Sequence, residues 1–547
     1  MIPPNIHYLT TQVAKQAIQN TPPHIQCLLR SGQLPSSNDL SSIQLSLQEM
    51  QTEIQHHQKI VEESTTRILL LEETSRRYHS ILSPIRRIPA EILSFILTLA
   101  VKKNRFGPPG YSRSHASLLS SVCAFWRSVT LDDPYIWATI VIDREFQEKR
   151  HPLSFDRLKT HLERSKGTSI TYEFELPSKF SPSIIAPNED GVTSTLFGTE
   201  EQPRQVGTLK FSNVSSSRTK SPWSEARNIV EVAASRLSFL HTLHFWDRSD
   251  VHPVTKSDLT FGNEALGKHI TSLYLHPVTL SGAIFALKSF PKLSFATFII
   301  GAVAKEDSTS ANRNPPLEPR REPNNLLSLP SLLSLTLATS TEIPIDKCIN
   351  HMAILLRRFG TPSLSTLSIS LSRSLISQQF DTLQLIDGLE YFFGRTTALR
   401  HLTIRCVDWT EQFTKGLLQY VPSTVTDLGI GFAPGVAPLF ERRIVNGLCW
   451  PPKDKDGDGD GGEGVLPKLT HLRLFMGVSG LDEWGLLSEM IQSRVLKIPG
   501  SGATSALGTP RTPLKSVYAD VKSSDPQIAI EARKLRDEGV HVFGSNL

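Results

Sequence analysis

The stretch Leu399–Ile430, "LRHLTIRCVDWTEQFTKGLLQYVPSTVTDLGI", decides the fold. It opens with apolar residues at Leu399, Leu402 and Ile404 and closes with the same spacing at Val425, Leu428 and Ile430. Alternate residues of a strand share a face, so each triplet reads as a short strand with one apolar side. Between the triplets, Glu411–Tyr420 reads as a helix. The stretch is therefore a strand, a helix, and a second strand built to the first one's pattern.

The pattern recurs in both directions. Triplets stand at Val206/Leu209/Phe211, Leu240/Leu243/Phe245, Ile270/Leu273/Leu275, Leu332/Leu335/Leu337, Leu364/Leu367/Ile369 and Leu469/Leu472/Leu474. "LKSVYADV" from Leu514 is a degraded copy, and Phe290/Leu293/Phe295 a weaker one. Helical segments follow most of them, over Glu225–Arg236, Ser281–Ser289, Lys347–Phe359, Gln378–Phe393, Asp482–Arg494 and Pro526–Glu538. The last is punctuated by Asp525-Pro526 before it and Gly539 after it, and "VHVF" reads as a final strand. Upstream, "FDRLKTHLERSKGTSITYEFEL" gives a helix, a stop at Gly167 and a strand, and 177–204 reads as a loop.

Strand-plus-helix units in series resemble leucine-rich repeats. Neither apolar face of a unit can be buried alone, so the resemblance implies an α/β solenoid over 150–547. The spacing drifts from the low twenties to the forties. The asparagine position of regular repeats holds Arg248, Ser340, Ser372, Val407 and Gly477 instead, which points to an irregular horseshoe. An ordinary α/β sheet domain is the alternative. In a solenoid, the strand positions between the anchors would face a partner, among them Thr242, His244, Tyr274, Thr336, Ser368, Thr403, Arg405 and Arg473. Segments 303–325, 453–464 and 499–512 are polar, rich in Pro or Gly, and read as disordered insertions.

Residues 1–37 are mixed in composition and expected to have little order. From 38 to 83 a long helix is expected. Leu40, Ile43, Leu47, Met50, Ile54, His57, Val61, Ser64, Ile68, Leu71, Ser75, Tyr78 and Leu82 follow alternating three- and four-residue steps, a heptad seam with polar breaks. Two readings stand: a coiled coil that makes a homodimer through 40–82, or a long helix folded back on its own chain. His56 and His57 are sequence neighbours on a helix and point apart, so they read as solvated rather than metal-binding.

The segment 84–143 has another character. "IPAEIL" spans Ile88–Leu93, and Ile92, Leu93, Ile96, Leu97 and Ala100 form a helical stripe. Leu118, Leu119, Val122, Phe125, Trp126 and Val129 read as a second helix, Asp133-Pro134 as a cap, and "TIVID" as a strand. The order Ile-Pro-x-Glu-Ile-Leu, Val-Cys-x-x-Trp, Asp-Pro-x-x-Trp resembles the F-box, in the loop-bearing form found in many fungal proteins. The inserted loop here is Lys103–His115. The resemblance implies a module that docks a Skp-type adaptor and, through it, a cullin. It carries over Pro89, Ile92, Leu93 and Ile96 on the first helix, and Val122, Cys123, Trp126, Pro134 and Trp137 beyond it. Trp126 is the expected core residue among them. The alternative is a helical cap that shields the first repeat.

The function implied is substrate recognition in an SCF-type (Skp–cullin–F-box) ubiquitin ligase, with an unknown substrate protein on the repeats. A protein-interaction scaffold without a ubiquitin link is the competing reading. The net charge is +5, with Lys and Arg in scattered pairs such as Arg86-Arg87, so nucleic-acid binding has little support. The five cysteines are far apart, which argues for a reducing compartment, and no apolar run reaches membrane-spanning length. An intracellular protein of cytoplasm or nucleus is expected. Asp456, Asp458 and Asp460 alternate like a calcium loop, but the twelfth position is Pro467 where a bidentate glutamate belongs. No G-x-S-x-G, H-E-x-x-H, Walker loop or G-x-G-x-x-G after a strand is present, so no enzyme, cofactor or metal is expected.

Overall fold

The computed structural model describes residues 22–103, 115–142, 152–176, 190–199, 201–213, 223–233, 236–247, 253–261, 267–301, 326–340, 345–371, 383–406, 409, 411–432, 441–448, 466–478, 480–495, 513–521 and 525–543. Two compact units divide the chain, Met1–Ile92 and Leu93–Leu547.

In the first unit, helix α1 (Pro23–Ser31) ends on Gly32 in the left-handed region, φ 66°. Little order was expected there; a first-turn proline and a glycine stop suffice to bound a short helix. Helix α2 (Ser37–Leu82) runs for 46 residues, about 69 Å at the usual rise. Ser36 and Asp39 close a reciprocal capping box at its start. The hydrogen bonds from Ser36 hold the Asp39 carboxyl below its ordinary range. Among the described residues nothing buries any residue of α2.

Helix α3 (Ala90–Lys103) carries the chain into the second unit, followed by α4 (His115–Ser120), α5 (Ala124–Asp132) and α6 (Pro134–Trp137). The sheet then begins. Its strands are β1 (Thr139–Ile142), β2 (Ile170–Leu176), β3 (Val206–Asn213), β4 (Thr242–Asp247), β5 (Ser272–Val278) and β6 (Phe295–Ile300). After the short β7 (Leu327–Ser328) come β8 (Ser334–Thr339), the short β9 (Phe359–Gly360), β10 (Thr366–Ser370) and β11 (His401–Cys406). The last are β12 (Asp427–Phe432), β13 (His471–Val478), β14 (Ser516–Val521) and β15 (His541–Phe543). Thirteen of them form one parallel sheet in sequence order, and β7 pairs with β9 apart from it.

Parallel strands need crossovers. Here the crossovers include α7 (Pro152–Arg164), α8 (Asp190–Phe197) and the helices Trp223–Ala233, Leu280–Ser289, Ile345–Arg357, Leu383–Phe393, Glu411–Tyr420, Arg442–Leu448, Leu481–Val495 and Pro526–Asp537. The anchors of the triplets turn to the helix side and pack with the helix stripes in one core. The middle anchors stand in a row across the sheet, Leu335 beside Leu367, Leu402, Leu428 and Leu472. Each is at most 1% exposed, and full burial of such a side chain stabilises by roughly 1.5–3 kcal/mol. Near the start of the sheet aromatics take this role, with Phe174 stacked on Phe211 at 5.3 Å between ring centres.

The structure departs from the sequence reading in several places. The weak triplet is out of frame: Phe295 is exposed, and Leu293, Ala296 and Phe298 are the buried set, because one step along a strand changes face. The loop expected over 177–204 contains α8, whose Leu196 and Phe197 are buried beside Tyr172. Arg442–Leu448 is a helix the sequence did not announce. The strand expected at "TIVID" is present as β1, and by pairing in parallel with β2 it is the first strand of the sheet. The expected insertions 303–325, 453–464 and 499–512 lie outside the described residues, as do Arg248, Ser372 and Val407. Among the described residues no helix is long and apolar enough to cross a membrane.

Candidate partner-docking surface

Helix α3 is apolar on two sides, and a helix can turn only one stripe inward. Leu93, Leu97 and Val101 form the inward stripe; Leu93 is 0% and Leu97 1% exposed. Phe95, Ile96 and Leu99 face out, at 63%, 43% and 46%. Pro89 and Ile92 are exposed and fall in the first unit.

The expected second helix is two helices. The helix is interrupted at Ser121–Val122, and Cys123 is extended, φ −159° and ψ 172°. Its Sγ accepts from the Trp126 amide at 3.5 Å, in the place of an N-cap oxygen. The break leaves Val122 exposed, along with Leu118 and Phe125. Trp126 is half-buried rather than central.

Asp133 joins the pieces. Its Oδ1 accepts from the Tyr135 amide at 2.9 Å, which caps α6, with Pro134 half-buried in the first turn. Its Oδ2 accepts from the Ser94 hydroxyl and, at 3.1 Å, from Thr98 Oγ1. Two α3 hydroxyls are thereby tied to the cap of α6. Trp137 is the true core residue of the module. It is buried, and its Nε1 donates to the Thr130 carbonyl at 2.6 Å. His161 of α7 lies edge-on to its ring at 4.9 Å, with Nδ1 3.2 Å from the Trp137 carbonyl. Burial keeps His161 below its ordinary pKa. The Arg164 guanidinium covers the same indole at 4.3 Å.

Of the residues singled out in the sequence, Leu93 and Trp137 thus hold the module together and cannot meet a partner. Ile96 and Val122 are open, and Cys123, Trp126 and Pro134 are half-open. Phe95, Leu99, Leu118, Phe125 and Tyr135 are exposed apolar residues that the sequence reading missed. The signal was available on α3, where a second apolar set recurs at Phe95, Ile96 and Leu99 beside the buried one.

The eight strand positions between the anchors share the face of the sheet opposite the helices. His244 pairs in register with Tyr274, Thr336 with Ser368, and Thr403 with Gly429, which in turn faces Arg473. Thr242 lies on the same face two residues before His244, and Arg405 two residues after Thr403. His244 and Tyr274 are stacked at 5.4 Å. His401 Nδ1 lies 3.2 Å from Asp427 Oδ2, and His471 Nδ1 2.7 Å from Ser516 Oγ.

No family model matches the chain, and no curated protein does. Among solved structures, a Bacteroides fragilis protein matches at 10% identity with a TM-score of 0.31, over 70% of this chain and 77% of that one.

Proposed function

We propose that this protein is the substrate-recognition adaptor of an SCF-type ubiquitin ligase. Its F-box-like module docks a Skp-type adaptor, and the parallel sheet is an irregular leucine-rich-repeat solenoid whose open face binds the substrate protein. One observation carries this reading. Phe95, Ile96 and Leu99 stay in solvent on a helix whose other apolar stripe is already buried. A contiguous exposed apolar surface marks an interaction site, and anchors at helical spacing suit a groove-and-helix contact. The order of the Ile-Pro, Val-Cys and Asp-Pro elements supplies the rest.

The test is co-expression with a Skp-type adaptor and a cullin, comparing the wild-type chain with an Ile96→Asp/Leu99→Asp variant. Recovery of both partners on the wild type and neither on the variant supports the adaptor role. A folded wild type that retains neither favours the scaffold reading, for which the exposed seam of α2 is the supporting observation.

A further inference from the structure

Helix α2 exposes a seam of thirteen positions, Leu40 to Leu82, in unbroken three-four alternation. Only Ile43 of these is even half-buried. Helices are stabilised in proteins mainly by packing one face, and among the described residues nothing packs on this one. We infer that a second copy of this chain covers the seam as a parallel, in-register two-stranded coiled coil.

The polar residues choose the occupant. Taking Leu40 as the first heptad position, Ser75 is an a residue, and His57 and Ser64 are d residues. In a parallel dimer a meets a and d meets d, so each polar residue meets its own copy. In an antiparallel dimer a meets d. Only one of His57 and Ser64 could then face Ser75. The other would face one of Leu40, Leu47, Ile54, Val61, Ile68 or Leu82, burying a polar group against an apolar one. The same mismatch penalises a parallel dimer slipped by one heptad, which seats His57 opposite Ser64 but sets Ser75 against Ile68 or Leu82.

The flanks agree. In the parallel register Arg67 at g meets Glu72 at e of the second copy, an opposite-charge pair. The other g positions, Asp39, Ser46, Glu53, Ile60 and Thr74, meet Gln44, Gln51, Gln58, Thr65 and His79, and no like charges oppose. Ile54, Val61 and Ile68 are β-branched at a, a choice that favours two strands. Six heptads exceed the three or four that mark a sustained coiled coil.

The experiment is the mass of the full-length chain by sedimentation equilibrium. The expected result is twice the 60.8 kDa of one chain. An Ile54→Asp/Ile68→Asp pair on the seam returns the mass to one chain. A Leu45→Asp/Leu69→Asp pair, equally exposed but off the seam, leaves it doubled. In a Cys27→Ser background, mild oxidation of Ser64→Cys gives a covalent dimer on a non-reducing gel that the background chain does not give. A wild type of one-chain mass, a dimer that survives the seam pair, or a dimer lost equally with both pairs overturns the seam as the interface. Failure of Ser64→Cys to cross-link a dimer of the right mass overturns the parallel register.

Discussion

The Arg405 guanidinium lies 3.6 Å from the centre of the Phe475 ring, although a whole strand separates them. Arg405 is on β11 and Phe475 on β13, and the β12 residue between them in register is Gly431. A Cβ on Gly431 would stand 2.5 Å from the Phe475 carbonyl oxygen, and its φ of +145° suits glycine alone. Gly429 is nearly as confined, 2.9 Å from Thr403 Oγ1. These glycines clear the open face so that a cation can cross it.

Gly431→Val should therefore cost about 2–4 kcal/mol, from backbone strain and the displaced Phe475. Phe475→Ala removes the ring beneath Arg405, whose stacking is worth about 0.5–2 kcal/mol before lost packing is counted. Urea unfolding midpoints measure both. A Gly431→Val chain as stable as wild type would show that the crossing is not constrained.

The Asp133 carboxylate caps α6 and accepts from both α3 hydroxyls. Asp133→Ala loses the cap and leaves Ser94 and Thr98 to find other acceptors. The expected loss is about 1–2 kcal/mol, read as a lower thermal midpoint. Ser94→Ala, which leaves the cap in place, should lose less.

His161 links pH to stability. Its pKa is lowered in the folded state by burial against Trp137. On acidification the unfolded chain takes up a proton at the ordinary histidine value while the folded chain resists. The stability this residue contributes is thus present above about pH 6.5 and lost as pH falls through the lower folded value. A His161→Gln chain should lose less stability than wild type between neutral and mildly acidic pH, by thermal unfolding at each pH. An equal loss in both would contradict this.

Burial pushes the Cys348 thiol up to about 12 from its ordinary 9.0. A raised folded pKa means that its contribution is intact below 9.0 and drains away as pH climbs toward 12. At pH near 8, a maleimide should label exposed Cys27 rapidly. Cys348 and Cys406, both buried, should be labelled only on unfolding, as peptide mapping by mass spectrometry would show.

Much of the fold was written in spacing. The triplets around Leu402 and Leu428 gave strands and helices to within a few residues, because burying alternate side chains forces a period of two. The failures have the same physical source. Phe290/Leu293/Phe295 was the weaker match to the template, and Ala296 is the buried residue: a small side chain at an anchor is invisible to a search for large ones. The break at Val122 was hidden because helical spacing continues through it, while the Cys123 cap uses sulfur where an oxygen is the usual signal. At the candidate site, Leu93 and Ile96 look alike in sequence. The tie found beside them, from Ser94 and Thr98 to Asp133, spans 39 and 35 residues of sequence, beyond the reach of helical spacing.

The central claim rests on Ile96 and its neighbours, and the most direct measurement is titration of the purified full-length chain with a purified Skp-type adaptor. Leu93 is an unsuitable probe, since a charge at that buried position would unfold the helix whatever its role. Ile96→Asp and Val122→Asp alter only exposed side chains. The account predicts saturable binding by wild type, weakened at least tenfold by Ile96→Asp, about 1.4 kcal/mol or more, with the variant's thermal midpoint unchanged. No heat of binding with a folded wild type, or equal affinity in both variants and the wild type, would contradict it.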